Sequence, residues 1–403
     1  MMSNSKKDFD FGELKAVLED AYAIGEIARI EAISCDEEEL LGLSGALLGT
    51  SEPTSQTASA TSFRVSTGQA EYFLKRIGDC ISDERVKEIA DFIWWTEARN
   101  YALSPALKVS TLGRAHIELC GNRFQLFDFV TQEKRQIWMR SELSLDDCAL
   151  AGDLLARLHL ASAEYLNEDE RRKAVFFNSV DWNASCEALF ERIKNYTSTH
   201  HVLSSVSKNE EYLKSRFSSA TRFMSKQGKI ALPLLVHGDF HPGNVLFLAD
   251  KTDSRLVRLV DFDYLRLEHP FFDVGYAFIM FAQVLSFGKP RPPERTADLP
   301  VNWQFAKAFL RAYFKAVRKN PAEKLEFQIR KAELMAACLQ PRSFLQYTTF
   351  ACFLILEWAV DKLIDGSSHF SNIYVDVIET LEKLICYEVG EVVENIWIEA
   401  FTE

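Results

Sequence analysis

The residues best suited to chemistry lie in one stretch of the chain, residues 232–263 (LPLLVHGDFHPGNVLFLADKTDSRLVRLVDFD). Asp239 and Asn244 stand five residues apart, and Asp261 follows a second apolar segment. Carboxylate and amide oxygens suit Mg²⁺, whose remaining ligands come from phosphates and water. A further carboxylate can orient a hydroxyl nucleophile. The stretch therefore predicts chemistry on a magnesium-bound phosphate.

The pattern of the stretch predicts a β-hairpin that brings these groups together. If the polar segment 249–256 forms the turn, Asn244 lies directly opposite Asp261. Opposed residues of a hairpin have Cβ atoms about 4.5–5.5 Å apart. Asp239, in the loop just upstream, can reach the same end of the hairpin.

This set matches what phosphoryl transfer requires. The reaction needs an acid that orients the nucleophile, an Asp and an Asn on the metal, and a Lys on the α- and β-phosphates. The spacing D-x-x-x-x-N is met by Asp239 and Asn244, and Asp261 is the second metal ligand. The lysine is expected on the third strand of an N-terminal sheet, where Lys75 stands in the sequence Glu71-Tyr-Phe-Leu-Lys75.

Residues 236–247 (VHGDFHPGNVLF) and 259–277 (LVDFDYLRLEHPFFDVGYA) resemble the aminoglycoside phosphotransferase, choline kinase and homoserine kinase-like family of small-molecule kinases. A weaker likeness extends to residues 152–159 and 60–75. The resemblance implies an α+β, protein-kinase-like bilobal fold that binds ATP between its lobes. It also implies that Asp239 is the catalytic base.

Further nucleotide contacts follow from this comparison. Lys75 needs a glutamate partner on the helix after its strand, and Glu97 is favoured over Glu88. The linker residues Asp128, Phe129 and Val130 are expected to present backbone groups to adenine. Asn244 and Asp261 hold Mg²⁺ that bridges the phosphates.

Local patterns divide the chain near residue 130 into an N-terminal nucleotide-binding lobe, 1–130, and a catalytic and substrate-binding lobe, 131–403. The first is predicted to be rich in strands and the second mainly helical. The predicted helices cover residues 11–22, 83–103, 144–160, 302–318, 325–338, 344–364 and 373–399, and the predicted strands cover residues 27–34, 62–65, 71–77, 115–120 and 123–129. A hairpin turn is predicted at residues 66–69.

Two groups of residues are predicted to have structural roles. Asp273 follows in an apolar run, where a buried carboxylate needs donors, and the amides of the catalytic loop are the expected ones. His237 and His241 are expected to pack and orient this loop. Trp94, Trp95 and Trp138 are expected to pack in the core.

Composition limits the partners. The net charge of −12 disfavours binding to nucleic acid, and the two longest apolar runs each contain an acidic residue, which favours buried helices over membrane spans. Eight cysteines without paired spacing indicate reduced thiols, hence a cytoplasmic location. The acidic segment 351–403 could attract a cationic acceptor.

The sequence thus predicts an ATP- and Mg²⁺-dependent kinase for the hydroxyl of a small molecule such as an aminoglycoside, an amino alcohol, homoserine or a sugar. A protein kinase, a catalytically inert nucleotide-binding pseudokinase and an AMP-transferring enzyme are the alternatives. The acceptor and the oligomeric state are left open.

Overall fold

A computed structural model of the chain describes residues 10–33, 62–78, 81–130, 143–169, 171–176, 182–227, 233–248, 257–282, 302–319, 341–365, 371–386 and 390–402. The chain forms two compact units. The first comprises residues 1–136 and 246–263, and the second comprises residues 137–245 and 264–403. Residues 246–263, which the sequence-based division assigned to the C-terminal lobe, thus belong to the first unit.

The first unit is built on a five-stranded antiparallel sheet with the strand order β1-β2-β3-β5-β4. The strands are β1 (Ile27–Ile33), β2 (Ser62–Thr67), β3 (Glu71–Arg76), β4 (Ile117–Leu119) and β5 (Asn122–Asp128). The helices are α1 (Phe11–Ala21) and α2 (Asp83–Ala98), and β7 (Val245–Phe247) pairs with β8 (Val257–Leu259) in a separate two-stranded sheet.

The β2–β3 hairpin follows from alternating side chains. Phe63 pairs with Leu74 and Val65 with Tyr72, and all four are buried on one face of the sheet. A strand places alternate residues on the same face, so this register buries the apolar set together. The turn occupies residues 67–70, one residue later than predicted.

Helix α1 covers the same core. Asp10 caps its start by accepting a hydrogen bond from the Gly12 N–H at 3.1 Å. Leu14 and Leu18, one helical turn apart, are fully buried against the sheet. The predicted amphipathic helix is confirmed.

Helix α2 begins as predicted and ends earlier. Ser82 caps it through the Arg85 N–H, but the helix ends at Ala98 rather than at residue 103. Asn100 and Ala102 take left-handed backbone conformations, with φ of 58° and 50°, which a continuing right-handed helix excludes. Helical periodicity alone does not reveal such a stop.

The second unit is mainly helical. Its helices are α3 (Leu145–Glu168), α4 (Arg172–Phe176), α5 (Trp182–Tyr196), α6 (His201–Lys208), α7 (Glu210–Gln227), α8 (Phe271–Phe281), α9 (Trp303–Lys319), α10 (Pro341–Asp365), α11 (Ser371–Cys386) and α12 (Gly390–Thr402). Two short strands, β6 (Leu234–Val236) and β9 (Arg266–Glu268), pair antiparallel. The predicted helix 373–399 is present as α11 and α12, whereas the predicted helix 325–338 and Trp138 lie outside the described residues.

Close packing fixes the long helices. The predicted start of α3 is confirmed as a capping box between Ser144 and Asp147. At Gly152 a Cβ atom would lie 2.1 Å from the Phe309 carbonyl oxygen, so only glycine permits this approach of α3 to α9. The segment Ser343–Ile364 of α10 is long and apolar enough to cross a membrane, yet 61% of its most apolar window is buried within the fold.

Candidate active site

The first group of candidate residues surrounds Lys75 on β3. Its Nζ lies 2.6 Å from Oδ1 of Asp261 and 2.7 Å from Oδ1 of Asp263. Burial lowers the pKa of Lys75, but the two carboxylates outweigh burial, and the net shift is upward. Lys75 is therefore a cation at neutral pH. It is held by two acids that lie at least 186 residues further along the chain.

The prediction that a glutamate of α2, Glu97 or Glu88, pairs with Lys75 is wrong. The side chain of Glu97 is exposed at the end of α2, whereas Lys75 is enclosed and paired with two aspartates. Because α2 ends at Ala98, Glu97 lies in a last turn that opens to solvent. In this structure Asp261 and Asp263 take the place that the sequence comparison assigned to Glu97 or Glu88.

Asp261 has an unusual backbone. Its φ of 65° is left-handed, which costs a residue with a Cβ about 1–2 kcal/mol. Such conformations gather at functional sites, where the surrounding structure maintains them. Here the carboxylate of Asp261 is held by the ion pair with Lys75.

The linker after β5 uses part of its backbone internally. The N–H of Asp128 donates to Ala106 and the N–H of Phe129 donates to Glu71, both within the first unit. The Asp128 carboxylate pairs with Lys108 at 2.6 Å. These two N–H groups are thus not available to an adenine base. The linker groups that could still contact adenine are its carbonyl oxygens and the backbone of Val130, and this contact stays a prediction.

The second group of candidate residues surrounds Asp239. The Tyr276 hydroxyl donates to Oδ1 at 3.1 Å, and the Asn244 amide lies 3.4 Å from Oδ2. Nε2 of His241 also lies 3.4 Å from Oδ2. Both carboxylate oxygens are therefore held, and the side chain has a single orientation.

This environment keeps Asp239 ionised. Burial raises the pKa of its carboxyl, but the electrostatic attraction of His241 and the hydrogen bonds from His241 and Tyr276 outweigh burial. The net effect lowers the pKa to about 2. A carboxylate with so low a pKa is a weak base near neutrality and a good acceptor for the hydrogen of a hydroxyl group.

Asn244 is oriented by the loop itself. Its Nδ2 donates to the backbone carbonyl of Asp239 at 2.9 Å. The turn Pro242–Asn244 is fixed by His241, whose Nδ1 accepts the Gly243 N–H at 3.0 Å. With the amide nitrogen engaged, the amide oxygen is the atom of Asn244 that can bind a cation. The predicted loop-orienting role of His241 is confirmed.

The buried carboxylate of Asp273 accepts hydrogen bonds from the loop that carries Asp239. Asp273 is fully buried and accepts the His237 N–H at 2.6 Å and the Gly238 N–H at 2.9 Å, while Nε2 of His159 lies 3.3 Å from it. The predicted role of Asp273 is confirmed. Gly238 has φ of 85°, and a Cβ there would lie 2.5 Å from the Tyr264 carbonyl oxygen, so glycine is required.

Sequence reasoning missed two residues of these groups, Asp263 and Tyr276. The spacing Asp261-Phe-Asp263 is the signal that could have indicated the first, because a carboxylate two residues on can share the cation bound by its neighbour. For Tyr276 no local signal exists, since its partner is 37 residues away.

The oxygen donors present fit Mg²⁺. Lys75 engages one oxygen of Asp261, and a carboxylate offers about four lone-pair sites, so capacity for a metal remains. No cluster of three or more His, Cys, Asp or Glu residues capable of holding a metal occurs in the described part of the chain.

The α+β fold, the lysine on the third strand and the Asp-x-x-x-x-Asn loop together define a protein-kinase-like phosphotransferase. A model of the phosphotransferase enzyme family matches residues 50–313, which include both groups of candidate residues. The chain belongs to this family and is a small-molecule kinase. No curated protein sequence matches this chain.

Solved structures share the fold along nearly the whole chain. A spectinomycin phosphotransferase in complex with ADP and spectinomycin has a TM-score of 0.57 at 12% identity, covering 96% of this chain and 98% of its own. A microcompartment-associated aminopropanol kinase has 0.54 at 17% identity, covering 95% and 98%. A choline kinase from Cryptosporidium parvum has 0.53 at 11% identity, covering 98% and 99%. At these identities the likeness establishes the fold alone.

Proposed function

We propose that this phosphotransferase transfers the γ-phosphate of ATP, bound with Mg²⁺, to a hydroxyl group of a small molecule. The observation that carries the proposal is Asp239, an ionised carboxylate held on both oxygens beside Asn244. Structural neighbours with bound ADP, AMP and GDP support the use of a nucleotide.

Asp239 orients the acceptor hydroxyl. Oδ1 accepts the Tyr276 hydrogen bond and has a second lone pair for the acceptor O–H, whereas Oδ2 faces both Asn244 and His241. Because its pKa is about 2, Asp239 acts by accepting this hydrogen bond and aligning the nucleophile, and it takes up the proton only as the bond to phosphorus forms. Alignment of this kind lowers the entropic cost of reaching the transition state.

Asn244 and Asp261 are the residues proposed to hold Mg²⁺, with Asp263 adding negative charge beside Asp261. The ion would bridge phosphate oxygens and neutralise charge that develops during transfer. Lys75 is proposed to bind the α- and β-phosphates. Its pairing with Asp261 and Asp263 fixes the ammonium before nucleotide binds.

The adenine contact proposed for the linker involves the Asp128 carbonyl and the backbone of Val130, with Phe129 providing an apolar side chain. The Phe129 ring already lies under the Arg64 guanidinium at 4.8 Å, which fixes its orientation. A cytoplasmic location is proposed from the cysteine usage noted above.

The test is a screen for ADP release over aminoglycosides, amino alcohols, homoserine and sugars, followed by Asp239→Asn. We expect turnover of the best acceptor to fall by about 10²–10⁴-fold in Asp239→Asn. Mg-ATP should still raise the melting temperature of the variant, because Lys75 and Asp261 are intact. Asp153→Asn, which removes a surface carboxylate paired with Arg157, is the control. Wild-type turnover in Asp239→Asn would refute the proposal.

A further inference from the structure

Arg266 on β9 is stacked on aromatic rings. Its guanidinium carbon lies 4.0 Å from the ring centre of Phe272 and 5.5 Å from that of Trp182. Contacts of this kind attract the cation to the ring faces and restrain the guanidinium group. They do not replace the oxygen acceptors that its N–H donors require.

No polar partner meets these N–H donors among the residues that the structure describes. The guanidinium group of Arg266 forms no ion pair or hydrogen bond with any of them, and its Nε atom is buried without an acceptor. Arg172, which stacks on Tyr165 at 3.9 Å, provides the contrast, because it donates to the Tyr165 carbonyl at 2.6 Å and pairs with Glu168. Arg172 therefore has the oxygen acceptors that the guanidinium group of Arg266 lacks.

Nearby acids do not supply these acceptors. Burial lowers the pKa of Arg266, and Glu268, Asp273 and Asp239 act on it electrostatically. Asp273 is occupied by loop amides, and Glu268 accepts the His269 N–H. The three acids compensate the positive charge at a distance, but they leave the buried Nε–H without an acceptor. A buried donor without an acceptor costs about 1–3 kcal/mol.

The position of Arg266 relates it to catalysis within the second unit. In the β6–β9 pair Arg266 lies opposite Val236, and Asp239 follows Val236 by three residues. Three residues of extended chain span about 10 Å at most. Asp239 is also one of the acids that act electrostatically on Arg266, so one small molecule can meet both side chains.

We infer that Arg266 binds the carboxylate of an acidic acceptor, through a two-point contact with the two terminal nitrogens of its guanidinium group. The inference rests on the proposed function and names its substrate class: a hydroxy acid or hydroxy amino acid rather than a simple amine or sugar. Guanidinium and carboxylate have matching planar geometry, so the contact sets the orientation of the acceptor as well as its affinity.

An oxyanion at Arg266 could also come from the transferred phosphate of ATP, and the experiment separates the two sources. Binding is measured calorimetrically with Mg²⁺ and ADP present, using matched pairs with and without the carboxylate: homoserine and 3-aminopropanol, serine and ethanolamine, glycerate and ethylene glycol. Binding of ATP and of ADP is measured in parallel. The variants are Arg266→Gln, Arg266→Lys as the conservative change, and Arg172→Gln as the stacked control.

We expect at least one acid to bind the wild type at least tenfold more tightly than its matched alcohol. Arg266→Gln should weaken that acid by about 10- to 100-fold and Arg266→Lys by less, with ATP affinity unchanged. Arg172→Gln should bind the acid as the wild type does. The unchanged ATP affinity also shows that the variant is folded.

Four results would overturn the inference. In the wild type, they are that no acid binds, or that the alcohols bind as tightly as the acids. In Arg266→Gln, they are that the acid binds with normal affinity, or that the affinity for ATP falls while those for ADP and the acid do not. The last would assign Arg266 to the transferred phosphate. Failure of the wild type to bind Mg-ATP would instead refute the proposed function, and with it this inference.

Discussion

The Tyr276 hydroxyl on α8 donates a hydrogen bond to Oδ1 of Asp239 at 3.1 Å. Burial and the neighbouring carboxylate raise the pKa of Tyr276 well above its usual value, so the phenol remains protonated and can only donate to the charged acid. Tyr276 is therefore a positioning residue: it fixes one oxygen of Asp239 while His241 and Asn244 face the other.

Tyr276→Phe should lower kcat and shift its pH dependence. The Tyr276 hydrogen bond is one of the smaller effects that lower the pKa of Asp239, so its loss should raise that pKa by less than about one unit. Removing a donor from the carboxylate raises its pKa, so the acid limb of the pH–kcat profile should move upward while KM for ATP stays constant. Tyr212→Phe, on the exposed face of α7, is the control. An unmoved acid limb would show that Tyr276 only packs.

Lys75→Met should weaken nucleotide binding. The change removes the cation and leaves Asp261 and Asp263 facing each other, where their repulsion opposes the binding of phosphates. KM for ATP should rise about tenfold or more, as measured by ADP release. Lys214→Met is a matched control, because Lys214 also contacts two acids, Glu187 and Glu210, away from both candidate groups. Equal effects of the two changes would contradict the role of Lys75.

Gly238→Ala should damage both stability and activity. Alanine there would strain the left-handed backbone, and its Cβ would clash with the Tyr264 carbonyl oxygen, displacing the loop that carries Asp239. We expect a loss of about 1–3 kcal/mol in urea unfolding and a clear fall in kcat. Gly113→Ala separates the two causes, because Gly113 has φ of 73° with no atom near its Cβ position. A similar small effect at both sites would exclude the clash as a cause.

Acid should destabilise the protein through His269. Burial, together with the neighbouring His159, lowers the pKa of His269 from 6.5 to about 3. The unfolded chain takes up a proton below pH 6.5 that the folded chain refuses, so the free energy of unfolding falls as the pH drops from 6.5 towards 3.

Between about pH 7.5 and pH 5 this single group should account for roughly 2 kcal/mol of lost stability. His269→Gln retains an acceptor for the Phe271 N–H that Nδ1 now accepts at 3.2 Å, and it should show a smaller loss across that interval. His201→Gln, an exposed histidine at the start of α6, should behave as the wild type. Urea unfolding at the two pH values measures the difference, and equal losses in both variants would contradict the assignment.

Residues whose partners are close in sequence were predictable. The turn that joins Asp239 to Asn244 spans five residues, and backbone and side-chain hydrogen bonds within it are fixed by spacing alone. The β2–β3 hairpin followed from alternation, with an error of one residue at its turn. Even Asp273 could be predicted, because a carboxylate in an apolar run requires donors and the nearest loop has them.

Residues whose partners are distant were not predictable. Lys75 was assigned to Glu97 by comparison with other kinases, but the early end of α2 leaves Glu97 exposed, and the aspartates after β8 occupy the lysine. No local sequence pattern indicates that α2 ends at Ala98. No local pattern indicates that Tyr276 contacts Asp239 either.

By itself the sequence determined which side chains are the candidates for the chemistry, since the Asp239–Asn244 spacing and the apolar segments around it are local properties of the chain. The tertiary structure alone decided what surrounds them: two acids at Lys75, a phenol at Asp239, and an arginine stacked on Phe272 without an acceptor. Packing decides these because it brings together segments tens to hundreds of residues apart, and the free energy of each contact depends on burial that no local pattern encodes.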